Sequence, residues 1–363
     1  MTRINNITLF RFKNHPDSAY SFNNRVTGIT GRNGSGKTNL LDALYYLCFA
    51  RSYFAYTDAS LVSFNQQGFR ISGTFEKTEE TPVSVSCILR ETGSKELHVG
   101  DQVCKKLSTY IGRFSCVMIA PDDIEIINST GGTLRRRFLD TILCQTDTGY
   151  LNALQKYNKI LLQRNSLLRD MQRDGIKDME LLDVYDTQLA EAGNYIFEER
   201  KKLCARLEPL VMEHYRALAG TADHITITYK SQLQETVFPE LLKQNRHRDM
   251  AAQRTGAGVH KDDIELGMHG SPLRLTASQG QKKSVLLSLK LAELDMLKEY
   301  LGSTPILLLD DMFERLDQER ISRLLKLVTG DGGGQVFITD TNETQLRHHL
   351  EHYTHDFAII TLE

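Results

Sequence analysis

Apolar and polar positions fall into three zones, each with its own period. In the first, residues 4–12 (Ile-Asn-Asn-Ile-Thr-Leu-Phe-Arg-Phe), Phe69–Phe75 and Val83–Leu89 alternate apolar with polar side chains, which predicts strands covered on one face. Residues 25–30 read as a further strand. Gly100-Asp101 separates Glu96–Val99 from Gln102–Cys104 and predicts a tight hairpin with glycine at positive φ. The zone reads as a β-rich shell around one helix, Asn39–Phe49. The second zone, about 120–255, has a helical period. Leu151, Leu154, Tyr157 and Leu161 recur at steps of three and four, as do Leu182, Tyr185, Leu189, Ala192 and Ile196, with Leu203 seven further on. A turn at Arg173-Asp174-Gly175 makes the two stretches a short antiparallel helix hairpin, its apolar stripes being packing faces. Thr226–Tyr229 reads as a short strand and Gln244–Arg254 as a polar, mobile connection. In the third zone, about 256–363, Pro305-Ile306-Leu307-Leu308-Leu309 is a continuous apolar run, as in a strand buried on both faces. Gln335–Thr339 is a second such strand, after a turn at Gly332-Gly333-Gly334.

At roughly 150 residues per domain, 363 residues imply two domains or lobes. No run of about 18 uncharged apolar residues occurs, so no transmembrane helix is expected, and the first six residues do not resemble a signal peptide. The six cysteines form no C-x-x-C pair and lie mostly in apolar segments, which reads as reduced core thiols of a cytoplasmic protein. A net charge of −2 argues against a nucleic-acid binder that is basic all over, and leaves room for a local basic surface.

Gly31-Arg32-Asn33-Gly34-Ser35-Gly36-Lys37-Thr38 matches G-x-x-x-x-G-K-[ST] in full, between a strand and a helix as that motif requires. Glycines let backbone N–H groups turn inward around phosphates, and the helix N-terminus adds partial positive charge. Asn33, Gly34, Ser35, Gly36, Lys37, Thr38 and Asn39 are therefore candidate nucleotide contacts, with Lys37 bridging the outer phosphates and Thr38 ligating Mg²⁺. The apolar run 306–309 ends in Asp310-Asp311. Beside the loop, Asp310 would hold Mg²⁺ and Asp311 would polarise an attacking water, making Asp311 and Lys37 the catalytic candidates. About 270 residues separate these two halves of one site, so the middle zone reads as an insertion.

Thr276-Ala277-Ser278-Gln279-Gly280-Gln281 precedes a helical pattern over Lys282–Leu297, about 30 residues before the acidic strand end. By itself this is an N-cap at Ser278. The spacing resembles the ABC-type ATPases, whose S-G-G-Q signature faces the nucleotide held by the other subunit. The resemblance implies that Ser278, Gly280 and Gln281 complete a partner's site, so that ATP joins two copies.

The whole chain resembles the RecF family of bacterial DNA replication and repair proteins. The residues that carry the resemblance are Phe12-Lys13-Asn14, Gly36–Ala43, Ala50-Arg51-Ser52, Ala120-Pro121-Asp122-Asp123, Arg135-Arg136-Arg137-Phe138-Leu139-Asp140, Tyr157, Gln163–Leu168, Gly258–Asp263, Ser278–Gln281 and Leu307–Asp311, in order. The fold implied is α/β: an ABC-type ATPase head with a P-loop sheet and an antiparallel β-subdomain over 1–119 and 256–363, and an inserted helical lobe with a short helix hairpin over 120–255. The resemblance adds Lys13 to the nucleotide contacts. It implies ATP with Mg²⁺ as cofactors, an ATP-dependent homodimer and weak DNA-stimulated ATPase activity. It further implies DNA at single-strand gaps or single-strand/double-strand junctions as partner, with RecR and RecO, to help load recombinase; the location would be cytoplasmic and nucleoid-associated. Arg135, Arg136, Arg137 and Arg164 are candidate DNA-phosphate contacts. Departures from the family pattern are Glu314-Arg315 after the acidic strand and Tyr53-Phe54 after Ser52. Transporter subunits, the alternative reading, place a histidine where this chain has Asp340.

Overall fold

The computed structural model describes every residue except 78–80, 176–177, 222, 314–315 and 331, so the departure at Glu314-Arg315 lies outside the described residues. The chain divides into two compact units, one of residues 1–124, 214–221 and 279–363 and one of 125–213 and 222–278.

The first unit holds two sheets. One is parallel, with strands in the order Phe357–Leu362, Val26–Gly31, Val336–Asp340, Ile306–Leu309 and Cys116–Ile119. Its interior strand Ile306–Leu309, between Val336–Asp340 and Cys116–Ile119, is buried throughout, as its unbroken apolar run demands. Register places Asp340 beside Thr30 and Leu309 beside Ile338, so the phosphate loop and the Asp310-Asp311 pair both follow the carboxyl ends of parallel strands. The other sheet is antiparallel, in the order His15–Ser21, Thr2–Phe12, Phe69–Lys77, Val83–Leu89, Lys95–Val99 and Gln102–Val103. The hairpin expected at Gly100 is there, with φ +59. The helix Lys37–Phe49 is buried on all sides, and one core joins it to residues of both sheets, such as Ile7 and Ile71 of the antiparallel sheet and Ile29 and Leu308 of the parallel one. A helix apolar around its whole circumference fits only between two layers.

The second unit contains the helices Thr133–Thr146, Thr148–Asp174, Phe238–Ala252 and most of Met179–Ala219, with a three-stranded antiparallel sheet in the order Ser271–Pro272, Asp263–Met268, Ile225–Lys230. Polar pairs Tyr195–Asp147, Lys156–Glu191 and Arg164–Asp186 fix the antiparallel register of the two long helices. Two expectations are corrected here. Residues 244–252 are the end of a helix, because buried Asp249 accepts from Arg164 and from Gly256 N. Residues 256–278 belong to the second unit, because Asp263–Met268 pairs along its whole length with Ile225–Lys230. All six cysteines are free thiols, four of them buried.

Candidate nucleotide site

Three glycines with positive φ shape the loop: Gly31 (+150), Gly34 (+86) and Gly36 (+103). The N-cap of the helix that begins at Lys37 is Gly36, which has no side chain to cap it, so the helix N-terminus faces the loop. Lys37 Nζ donates to the carbonyls of Gly31 (2.7 Å) and Arg32 (3.1 Å), across the loop's mouth. Ser35 Oγ is buried and has no hydrogen-bond partner among the described residues. An orphaned hydroxyl inside a ring of turned-in backbone fits a phosphate oxygen as its acceptor.

Two side chains that the sequence reading passed over brace the loop from outside. Asn14 Nδ2 donates to the Gly34 carbonyl at 3.2 Å, and its Oδ1 accepts from Asn39 Nδ2 at 2.7 Å. His15 Nε2 donates to the Gly36 carbonyl at 3.1 Å; burial lowers the His15 pKa, against that hydrogen bond, and Lys13 lowers it further. Lys13 itself is directed elsewhere. Its ammonium lies 2.7 Å from the fully buried Asp42, which also accepts from Ser52 Oγ and Tyr53 N. The turn 13–15 thus touches the phosphate loop through Asn14 and His15, while Lys13 ties it to the helix beneath. Asn14 was visible in the Phe12-Lys13-Asn14 motif; nothing local marked His15.

Asp310 is buried and held from two elements. Thr38 Oγ1 lies 3.0 Å from both carboxylate oxygens, and Thr339 Oγ1 donates to Oδ1 at 2.8 Å. Burial raises the Asp310 pKa above its ordinary value, the two threonine hydrogen bonds oppose this, and Asp311 next door adds to it. A hard divalent cation on Thr38 and Asp310 would replace the missing solvation, so this donor pair fits Mg²⁺. Thr339 Oγ1 in turn accepts from Asp311 N at 2.8 Å. Asp311 is held at φ +48, a left-handed conformation that a non-glycine residue adopts at a cost. Thr339, on the neighbouring strand, thereby orients both aspartates; only strand pairing reveals it.

Ser278 and Gln279 are exposed at the start of the helix Gln279–Leu301, and Gly280 and Gln281 are half-buried. The Gly280 carbonyl accepts from Ser284 Oγ at 3.1 Å.

The candidate DNA arginines are mostly not at the surface. Arg164 is fully buried between Asp186 (2.7 Å), Asp249 (2.8 Å) and Thr255 (2.8 Å). Arg135 is also buried, forked onto Asp263 with Nε and Nη2, while Nη1 donates to the Ile126 and Ser129 carbonyls. Half-buried Arg136 donates to the Asp262 carbonyl and to Thr133 Oγ1, and burial lowers its pKa. Arg137 is half-buried and has a partner of its own. The acidic residues of Gly258–Asp263 thus serve the arginines: Asp262 also faces Arg200, and Tyr157 meets His260 Nδ1 at 2.8 Å.

The RecF/RecN/SMC N terminal domain model matches residues 3–356. The chain is 38% identical to the DNA replication and repair protein RecF of Parabacteroides distasonis, covering 98% of this chain and 96% of that one. The chain belongs to the RecF family. The Flavobacterium johnsoniae RecF is 35% identical, over 93% of this chain and 94% of its own length. A solved RecF–ATP structure of the RecFOR pathway superposes with a TM-score of 0.88 at 30% identity, covering 94% of this chain and 93% of that chain. An Smc head domain from Pyrococcus furiosus shares the fold alone, with a TM-score of 0.54 at 15% identity over 96% of this chain and 92% of that one. The architecture is that of the RecF and SMC heads, an α/β ABC-type ATPase fold with a helical lobe.

Proposed function

We propose that this RecF-family chain is an ATP-switched DNA-binding protein of replication and recombinational repair. ATP sits in the loop Gly31–Thr38, with Lys37 on the outer phosphates and Mg²⁺ between Thr38 and Asp310. Asp311 activates water for slow hydrolysis that DNA stimulates. Two copies close around two nucleotides, each offering Ser278, Gly280 and Gln281 to the other's γ-phosphate, and hydrolysis releases them. The dimer acts at single-strand gaps in the cytoplasm, near the nucleoid, with RecR and RecO, to help load recombinase. The observation that carries this reading is the hydrogen-bonded chain Thr38–Asp310–Thr339–Asp311, which ties the phosphate loop to the acidic end of the strand Ile306–Leu309. The exposure of Ser278 supports the part assigned to a second copy.

Sedimentation with and without ATP tests the switch. Wild type should dimerise only with ATP, and Lys37→Met and Ser278→Arg should stay monomeric. Ser278→Arg that still dimerises on ATP would overturn the shared site. Binding to gapped against blunt duplex, with ATP or ADP, tests the DNA assignment.

A further inference from the structure

With buried Arg135 and Arg164 each committed to carboxylates of their own unit, the DNA backbone needs other cations. From Gln102 to Pro121 the chain has no Asp or Glu, yet it carries Lys105, Lys106 and Arg113, within a protein of net charge −2. All three are exposed and form no ion pair among the described residues. They line one open groove of about 370 Å³ in the first unit, together with Gln102, Val103 and Thr109. Asp101, at the hairpin tip, is not among the lining residues.

The cations stand on a fixed turn. Thr109 Oγ1 donates to the Lys106 carbonyl at 2.8 Å, and Cys104 Sγ lies 3.2 Å from the same oxygen. Backbone bonds run from Tyr110 N and Ile111 N to Leu107 O, and from Arg113 N to Tyr110 O. Tyr110, almost fully buried, donates its hydroxyl to Leu47 O in the helix that follows the phosphate loop. Arg113 lies over the ring of buried Phe114, 5.6 Å from its centroid. The backbone that carries these charges is therefore ordered before any ligand arrives, which lowers the entropy lost on binding.

We propose that Lys105, Lys106 and Arg113 form a docking surface for the phosphate backbone of duplex DNA, a surface that rests on the DNA reading above. Charge complementarity names the partner: three unpaired cations with amide and hydroxyl donors face a polyanion. The groove's one aromatic ring, Tyr110, is buried, so it offers no platform for unstacked bases. That makes it a sequence-independent contact to the double-stranded flank of a gap.

The test measures anisotropy of a labelled 30-mer, as duplex and as single strand, across a salt series in ATP. Lys105→Ala, Lys106→Ala, Arg113→Ala and the triple variant are compared with wild type and with Lys243→Ala, an exposed lysine of the helix Phe238–Ala252. The triple variant should bind duplex about tenfold or more weakly at 0.1 M salt, and its log–log salt slope should be shallower by about 2.7, near 0.9 per lost cation. Lys243→Ala should match wild type, and ATP-dependent sedimentation of the triple variant should be unchanged. Wild-type duplex affinity and slope in the triple variant would overturn the surface while leaving the DNA reading intact. A loss confined to the single strand would overturn the duplex assignment. Absence of any DNA binding by wild type would overturn the underlying reading as well.

Discussion

Gly36→Ala, set beside Gly34→Ala, separates two forces that hold the phosphate loop. Both glycines have φ that an L side chain rarely adopts, +103 and +86. A Cβ on Gly34 meets nothing within 4 Å among the described residues, whereas one on Gly36 falls 2.7 Å from both amide atoms of Asn14 and 2.7 Å from His15 Nε2. Gly34→Ala therefore carries the conformational cost alone, about 1–3 kcal/mol. Gly36→Ala also displaces Asn14 and His15 from the carbonyls they hold, at about 1 kcal/mol per hydrogen bond, for a sum of about 3–5 kcal/mol. At 1.4 kcal/mol per tenfold, nucleotide affinity should fall about 5- to 150-fold for Gly34→Ala and about 150- to 4,000-fold for Gly36→Ala. Titration of a fluorescent ATP analogue in Mg²⁺ reads the affinities, and urea unfolding reads how much of the cost reaches the fold. Adding Asn14→Ala to Gly36→Ala should cost little more, because that bond is already broken. Equal losses in the two glycine variants, or normal binding by Gly36→Ala, would refute bracing by Asn14 and His15.

Arg164→Met should destabilise the chain by about 3 kcal/mol, the low end for breaking a buried ion pair, because Asp186 keeps Arg246 and Asp249 keeps Gly256 N. A urea midpoint unchanged from wild type, together with weakened DNA binding, would return Arg164 to the DNA surface. His260 is held at a pKa of about 4, chiefly by burial, so below its unfolded value near 6.5 the unfolded chain takes up a proton that the folded chain refuses. Stability should be full above pH 6.5 and fall as the pH drops toward 4, with His260→Gln flattening that profile; parallel urea-midpoint profiles for the two proteins would contradict this. Asp311→Asn should bind ATP normally and leave the ATP-dependent dimer standing in sedimentation, and an unchanged phosphate-release rate would remove Asp311 from the chemistry.

The nucleotide loop was legible because its chemistry is local: eight consecutive residues between a strand and a helix already define the backbone cradle. Asp310 was legible for a similar reason, since a short unbroken apolar run after Pro305 reads as a strand buried on both faces and its last residues must emerge at one end. The long helices were legible from their period, but the end of Phe238–Ala252 was not. A polar run such as Gln244–Arg254 looks mobile until Arg164, some 80 positions earlier, is seen to hold Asp249. Thr339 escaped notice because it owes its role to a strand placed beside it by sheet pairing, and His15 because the loop it braces lies 21 positions further along the chain.

The amino-acid sequence alone determined what each segment can become, a phosphate cradle, buried strand or packing helix, because backbone conformation and hydrophobic period are set within a few residues. Only the tertiary structure decided which charges remain available. Arg164 and Lys105 look alike on the page, yet one is enclosed by two carboxylates and the other faces water. Burial and ion pairing join residues distant in sequence, and the energy of a charge depends on that surrounding dielectric and partner far more than on its immediate neighbours.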